Sequence, residues 1–460
     1  MTTRNLWLLF WAAALSFVTT LTLPYVGEEG VYANSAIEMW ASGDFFNTTL
    51  YGTPYPRPPL LNWLIIAVAN VLGWSHMLLA SRIVTAAATV ATGLLLGWFV
   101  ARMTGQRAFA ALCALVFLTS DALFYRGWLA YADSLFTFFN LAAAALLWLG
   151  VRERHTRWLW LAALAATGGY LTKVQTIYIL YGITWLVLAA NRENRRFLIR
   201  TEAILPQLFA VGLFVLWNAL FVKGAHVSST YADILGKFLT ADLGGYLNQL
   251  WWFPIETFLR FAPASALAFY FWLRRSGNKA DAGSPAAFPL APLLWIAALN
   301  YLPFWLGPKS GIRYVMPLYP FAAILIAHVL WNAGPARLRI TVFWLAAAIV
   351  FKWGLGLWGF PAYQQKFRGD YAGAAREIVM QTGGFPLYAT DVSATGLAVS
   401  AEINALRHPA RPLTWPPGGL QDGFVLSYTE NPDYGRKYAR FQLGGNELFL
   451  MCRGAACDKP

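Results

Sequence analysis

Two adjacent carboxylates, Glu28 and Glu29, follow the apolar stretch Leu6–Leu23 by a few residues. They open a segment, Tyr25 to Trp63, that holds the densest chemistry in an otherwise lipid-soluble sequence. Where a hydrophobic stretch ends, water, headgroups and protein meet, so a carboxylate can stay ionised and act as a general base or an orienting charge. Downstream, the run Tyr55-Pro56-Arg57-Pro58-Pro59 returns one cation toward the membrane surface. The same residues also read as a solvated loop with a proline stop.

Further along, Asp133 begins an apolar stretch, where a carboxylate often serves as a helix N-cap. Arg126, on the same connection, can pair with it or hold a lipid phosphate. Lys173, in Leu-Thr-Lys, ends a short hydrophobic helix; it either snorkels to the headgroups or binds a phosphate-linked headgroup there. Lys309, Arg313 and Tyr314 lie in the run Pro308 to Pro320, which reads as a basic anchor followed by a kinked helix. Lys352, His155 and Arg157 read as structural. Cys113 lies inside an apolar stretch, whereas Cys452 and Cys457 lie in a polar tail and can form a small-loop disulfide if that tail is external. No His or further Cys stands near them to complete a zinc site, so no metal is expected.

With 460 residues, 58% hydrophobic, 16% aromatic and 12% charged, the chain is too apolar for a soluble protein and reads as an α-helical polytopic membrane protein. The formal charge of +13 comes largely from Arg clusters between apolar stretches, the pattern insertion topology demands, and nucleic-acid binding is not expected. Apolar stretches run from Leu6–Leu23 to Ile340–Phe360. The short stretch Leu60–Trp74 is the ambiguous one. If it lies along the membrane rather than across it, the clusters at 102–107, 152–157, 192–196, 274–279 and 337–339 all face the cytoplasm. About eleven spans follow, with the N-terminus inside and the C-terminus outside. Residues 1–360 form the membrane part, with residues 25–75 as its first external loop. Residues 361–460 change character, and their patterns predict a small α/β domain: helices over 371–381 and 394–404, strands over 386–390, 423–428 and 447–452.

The first loop resembles that of the GT-C glycosyltransferases, above all the lipid A aminoarabinose transferases and the protein O-mannosyltransferases. The residues that carry the likeness are Glu28-Glu29, Tyr32-Ala33, Ala41 to Asp44 and Arg57-Pro58-Pro59. Asp133, Lys173 and the run Lys309, Arg313, Tyr314, Pro317, Tyr319 and Pro320 extend it to about residue 330. The sequence departs from the family pattern at Glu28, usually Asp, at Val31, often basic, and at Pro56, usually acidic. The resemblance implies a GT-C fold with a periplasmic C-terminal domain in a bacterial inner membrane. It also implies inverting transfer of a sugar from a polyprenyl-phosphate donor to lipid A or another envelope glycolipid or glycan, without a cofactor. Protein O-mannosyl transfer is the neighbouring activity. In that reading Glu28, Glu29 and Asp133 are catalytic; Arg57, Arg126, Lys173, Lys309 and Arg313 bind the donor phosphate; and Tyr32, Tyr55 and Tyr314 position the substrate. From another class, a flippase for lipid-linked sugars would use the same cations, but it calls for charged or broken helices near the midplane, of which Lys352 is a rare instance.

Overall fold

The computed structural model describes residues 2–55, 57–173, 175–221, 243–274, 288–307 and 310–458. Lys309, and the expected cytoplasmic cluster beyond Arg274, lie outside these residues. The chain is mostly helical. Among the described residues, five helices are long and apolar enough to cross a membrane: Trp74–Thr104, Ala132–Glu153, Thr201–Phe221, Ile312–Trp331 and Pro335–Phe367. Other apolar stretches form shorter helices, among them Leu60–Leu72, Arg107–Leu118 and Thr176–Ala189. At a rise of about 1.5 Å per residue, helices of this length fall short of a hydrocarbon core about 30 Å thick. The expected first span is interrupted: the helix Thr3–Leu15 gives way to a 3-10 turn at Ser16–Thr20.

Contacts divide the chain into two compact units. One comprises Met1–Phe17, Ala86–Trp128 and Ala132–Trp353; the other comprises Val18–Thr85, Leu129–Tyr131 and Gly354–Pro460. The division does not follow chain order, because the whole of the first loop packs in the same unit as the C-terminal hundred residues.

In the first unit, polar side chains close helix ends where the sequence lacks apolar cues. Asn191 Oδ1 accepts from the backbone N–H groups of Glu193 and Asn194 to start Arg192–Leu198. His155 likewise caps Thr156–Thr172, which gives this residue the structural role its isolation suggests.

In the second unit, a four-stranded sheet has the order β3-β4-β6-β5: β3 Leu387–Ala389, β4 Gly423–Ser427, β5 Arg436–Leu443 and β6 Asn446–Arg453. β3 runs parallel to β4, and the remaining pairs are antiparallel. β4 is buried along its whole length, as a central strand of Phe, Val and Leu should be. β5 was not anticipated. It is an edge strand with Arg436, Lys437 and Arg440 along it, and its lattice of charges both hides it from apolar-pattern reading and guards the open edge. Arg440 pairs with Glu447 across to β6. Helices Tyr371–Thr382 and Ala394–Arg407, capped by Asp370 and Ser393, accompany the sheet. Cys452, at the end of β6, is disulfide-bonded to Cys457.

A small hairpin, β1 Thr49–Leu50 and β2 Thr53–Pro54, completes the second unit.

Candidate active site

In the second unit the acidic pair sits at the start of the helix Glu29–Ser42, and its two members differ completely. Glu29 is fully buried. Its carboxylate accepts from Val26 N at 2.8 Å, Ala130 N at 2.8 Å, Arg82 Nε at 3.0 Å and Arg82 Nη2 at 2.6 Å. Arg82, also fully buried, donates its other protons to the carbonyls of Thr20, Leu21, Leu23 and Pro24. The guanidinium thereby ties down the strand of chain that leaves the first helix and holds Glu29 bidentately, the strongest geometry this ion pair can take. A carboxylate with four donors already in place has no lone pair left to receive a substrate proton. Glu29 is thus a corrected expectation: burial and saturation make it a structural anchor of the loop.

Glu28 is exposed. Its backbone N–H donates to Tyr131 Oη at 3.0 Å, and that hydroxyl donates to Val26 O at 3.1 Å. Gly27 between them has φ +59°, and a Cβ there would overlap Tyr131 Oη, so only glycine lets the turn deliver Glu28 to the surface.

Arg57 is exposed too, on the segment that follows the hairpin. Thr48 pins its backbone, with Oγ1 lying 2.5 Å from Tyr55 O and 2.6 Å from Arg57 O. The guanidinium carbon sits 5.7 Å from the Tyr55 ring centre, and Nε reaches Tyr55 Oη at 3.4 Å. Desolvation lowers the Arg57 pKa, but the Tyr32 and Tyr55 phenols and the Glu28 carboxylate more than offset it, and the net direction is up. Glu28, Tyr32 and Tyr55 therefore lie near enough to influence the Arg57 charge, and all four are residues the sequence singles out.

The first unit holds a second cluster. Asp133 lies in the first turn of Ala132–Glu153 and is ion-paired with Lys173, the C-cap of Thr156–Thr172. Their side chains are only 11% and 14% exposed. Asp133 thus serves neither as an N-cap nor as the partner of Arg126, and its carboxylate is committed to the ion pair with Lys173. Lys173 Nζ stands 5.1 Å from the Tyr314 ring centre, and Arg313 packs over the same ring at 5.2 Å with Nη2 3.3 Å from Tyr314 Oη. Tyr314 is carried by the 3-10 segment Ile312–Leu318, which Asn140 fastens through the Pro317 carbonyl at 2.9 Å. Two cations thus pack around one phenol, and Asp133 pairs with one of them. Arg126, half-buried at the end of Asp121–Arg126, has no hydrogen-bond or ion-pair partner among the described residues.

Sequence reading passed over Arg82. It left a signal nonetheless: a lone arginine inside the apolar run 77–100 needs a buried acid, and Glu29 is that acid.

Residues 56–220, which contain Arg57, Arg82, Asp133 and Lys173, match the family model for dolichyl-phosphate-mannose-protein mannosyltransferase. An uncharacterized protein of Aquifex aeolicus is 24% identical over 311 residues, 66% of this chain and 59% of that one. The undecaprenyl phosphate-alpha-4-amino-4-deoxy-L-arabinose arabinosyl transferase of Edwardsiella ictaluri is 27% identical over 304 residues, 65% of this chain and 48% of the relative. The chain thus spans about half the length of the curated relatives it matches. In three dimensions the chain resembles ArnT from Cupriavidus metallidurans bound to undecaprenyl phosphate, with a TM-score of 0.71 at 14% identity and full coverage of both chains. The fold is that of the GT-C glycosyltransferases. Within them, the chain is similar to the aminoarabinose transferases and, over residues 56–220, to the protein mannosyltransferases.

Proposed function

We propose that this protein is a multi-pass membrane glycosyltransferase that takes a sugar from a polyprenyl-phosphate donor and passes it to an acceptor at the outer face of a bacterial inner membrane. The observation that carries this reading is the placement of an exposed carboxylate, Glu28, and an exposed cation, Arg57, on one loop anchored by the buried Glu29–Arg82 pair. The donor's tail occupies the bilayer, and Arg57 neutralises its phosphate. That phosphate is also the leaving group, so a cation that stabilises charge growing on it lowers the barrier more than it stabilises the bound donor. Glu28 activates or orients the acceptor on the opposite face of the sugar, and single displacement inverts the anomeric carbon. Where the acceptor is itself a phosphate, as on lipid A, Glu28 positions groups and removes no proton.

The Lys173, Arg313 and Tyr314 cluster supplies a second set of anion contacts, with Asp133 and Glu29 as positioning charges rather than bases. Acceptors of the lipid A type or other envelope glycolipids fit the likeness to the arabinosyl transferase, and a topology of about eleven spans with an external C-terminus fits the Arg clusters.

The test is transfer of labelled sugar from a short-chain polyprenyl-phosphate donor by purified protein. Glu28→Gln keeps size and most hydrogen bonding but removes the charge, and turnover should fall by at least ~10²-fold while the protein stays folded. Wild-type turnover in folded Glu28→Gln rejects the catalytic assignment and favours a flippase for lipid-linked sugars.

A further inference from the structure

Glu38, near the end of the helix Glu29–Ser42, is buried, and its carboxylate closes a turn. It accepts from Thr49 Oγ1 at 2.7 Å, Tyr51 N at 2.6 Å and Gly52 N at 3.0 Å. In the hairpin Thr49 faces Pro54 and Leu50 faces Thr53, which leaves Tyr51 and Gly52 as the two-residue loop. Both have positive φ, 53° and 71°, the signature of a type I′ turn, whose first position normally holds Asn, Asp or Gly. A tyrosine there is an outlier that persists only where its surroundings over-determine it.

Those surroundings belong to the C-terminal hundred residues of the same unit. Tyr51 is 1% exposed. Its hydroxyl donates to Asp391 O at 2.8 Å and bonds Ser400 Oγ at 2.9 Å, and its own carbonyl accepts from Trp415 N at 2.8 Å. On the other side of the hairpin, Tyr55 N donates to Thr48 O at 2.9 Å, and the Thr48 hydroxyl meets the carbonyls of Tyr55 and Arg57. Every turn of chain from the buried phenol to the exposed guanidinium is hydrogen-bonded.

From this geometry we propose that Glu38 and Tyr51 are positioning residues for Arg57, and that through Tyr51 the C-terminal residues Asp391, Ser400 and Trp415 set donor affinity without touching the donor. The inference rests on the reading of Arg57 as the donor-phosphate contact. The hairpin acts as a stiff spacer: its tip is seated by Tyr51 and clamped by Glu38, and its outgoing end leads to Arg57.

Binding of a short-chain polyprenyl phosphate to the full-length protein in detergent tests it. Arg57→Ala removes a charge-assisted contact and should weaken binding by roughly 10- to 100-fold. Tyr51→Phe keeps the ring in its seat and removes only the hydroxyl; it should weaken binding about fivefold, as one lost hydrogen bond does. In the Arg57→Ala background the same change should have no further effect, a non-additivity that a general loss of stability does not produce. Ser400→Ala removes one of the two hydroxyl contacts and replaces Tyr51→Phe in the cycle if that variant does not fold. Unchanged affinity in Tyr51→Phe alone, or full additivity with Arg57→Ala, overturns the proposal.

If Arg57→Ala itself leaves binding unchanged, the donor-phosphate reading falls and alkylation decides the positioning claim. Cys113 is buried and Cys452 is bonded to Cys457, so an Arg57→Cys thiol is the reactive one. A changed alkylation rate when Tyr51→Phe is added upholds the positioning role, and an equal rate overturns it.

Discussion

A buried carboxylate that accepts four hydrogen bonds and an exposed one beside it respond differently to the same substitution. Glu29→Gln leaves the fully buried Arg82 guanidinium without its counter-charge, and breaking such a pair costs about 3–5 kcal/mol. Thermal unfolding in detergent should show that loss for Glu29→Gln and almost none for Glu28→Gln; equal unfolding temperatures would contradict the division of roles. The acidic pair, Arg57 and the prolines were legible because adjacent carboxylates and X-Pro-Pro are features of neighbouring residues. Which of the two acids is buried was not legible, because the answer lies with Arg82, 53 residues away. The same holds for Asp133: its own sequence offers a cap, while its partner Lys173 stands 40 residues downstream.

Where the first loop meets the sheet-bearing segment, helices Glu29–Ser42 and Ala394–Arg407 approach closely enough that a side chain at Gly30 would overlap the Leu397 backbone. Asn34 uses the same proximity: it donates to Leu397 O at 3.0 Å and accepts from Asn404 Nδ2 at 2.8 Å. Backbone cannot rotate out of the way as a side chain can, so Gly30→Ala should destabilise the protein by about 1–3 kcal/mol. Gly212→Ala, in Thr201–Phe221 with nothing near its Cβ position, should be neutral or slightly stabilising, since alanine is the better helix former. Unfolding temperatures of the two variants read this directly, and equal values would remove the close-approach argument. At this scale the helices over 371–382 and 394–407 and the strands β3, β4 and β6 follow from periodicity. The edge strand β5 does not, because its Arg and Lys residues satisfy no apolar alternation. Nor does the close approach of the two helices at Gly30 and Asn34, which depends on a glycine and a pair of asparagines.

Across the whole molecule, the Arg clusters between apolar stretches set the expected orientation, and a pair of tags checks it. One placed after Pro460 should be reachable from outside the cell membrane, and one between Arg274 and Pro285 only from the cytoplasm. Equal accessibility of the two rejects the eleven-span arrangement. Among the described residues, five helices meet the length requirement on their own, so the topology of the shorter ones is where such labelling is most informative. The change in composition near residue 360 set the expected boundary between a membrane part and a tail. That the tail shares a compact unit with Val18–Thr85 was not legible, because no local pattern reports a contact between positions 34 and 404. That separation has a consequence for synthesis. A ribosome adding about 5–20 residues per second completes Asn404 roughly 20–70 seconds after Asn34, a separation of 370 residues. Through that interval the nascent chain already carries Glu28 and Arg57 but has nothing to seat Tyr51 or Asn34. A chain broken before Ala394 lacks Ser400, Asn404 and Trp415 permanently, so the first loop is fully seated only in molecules whose translation has passed those residues.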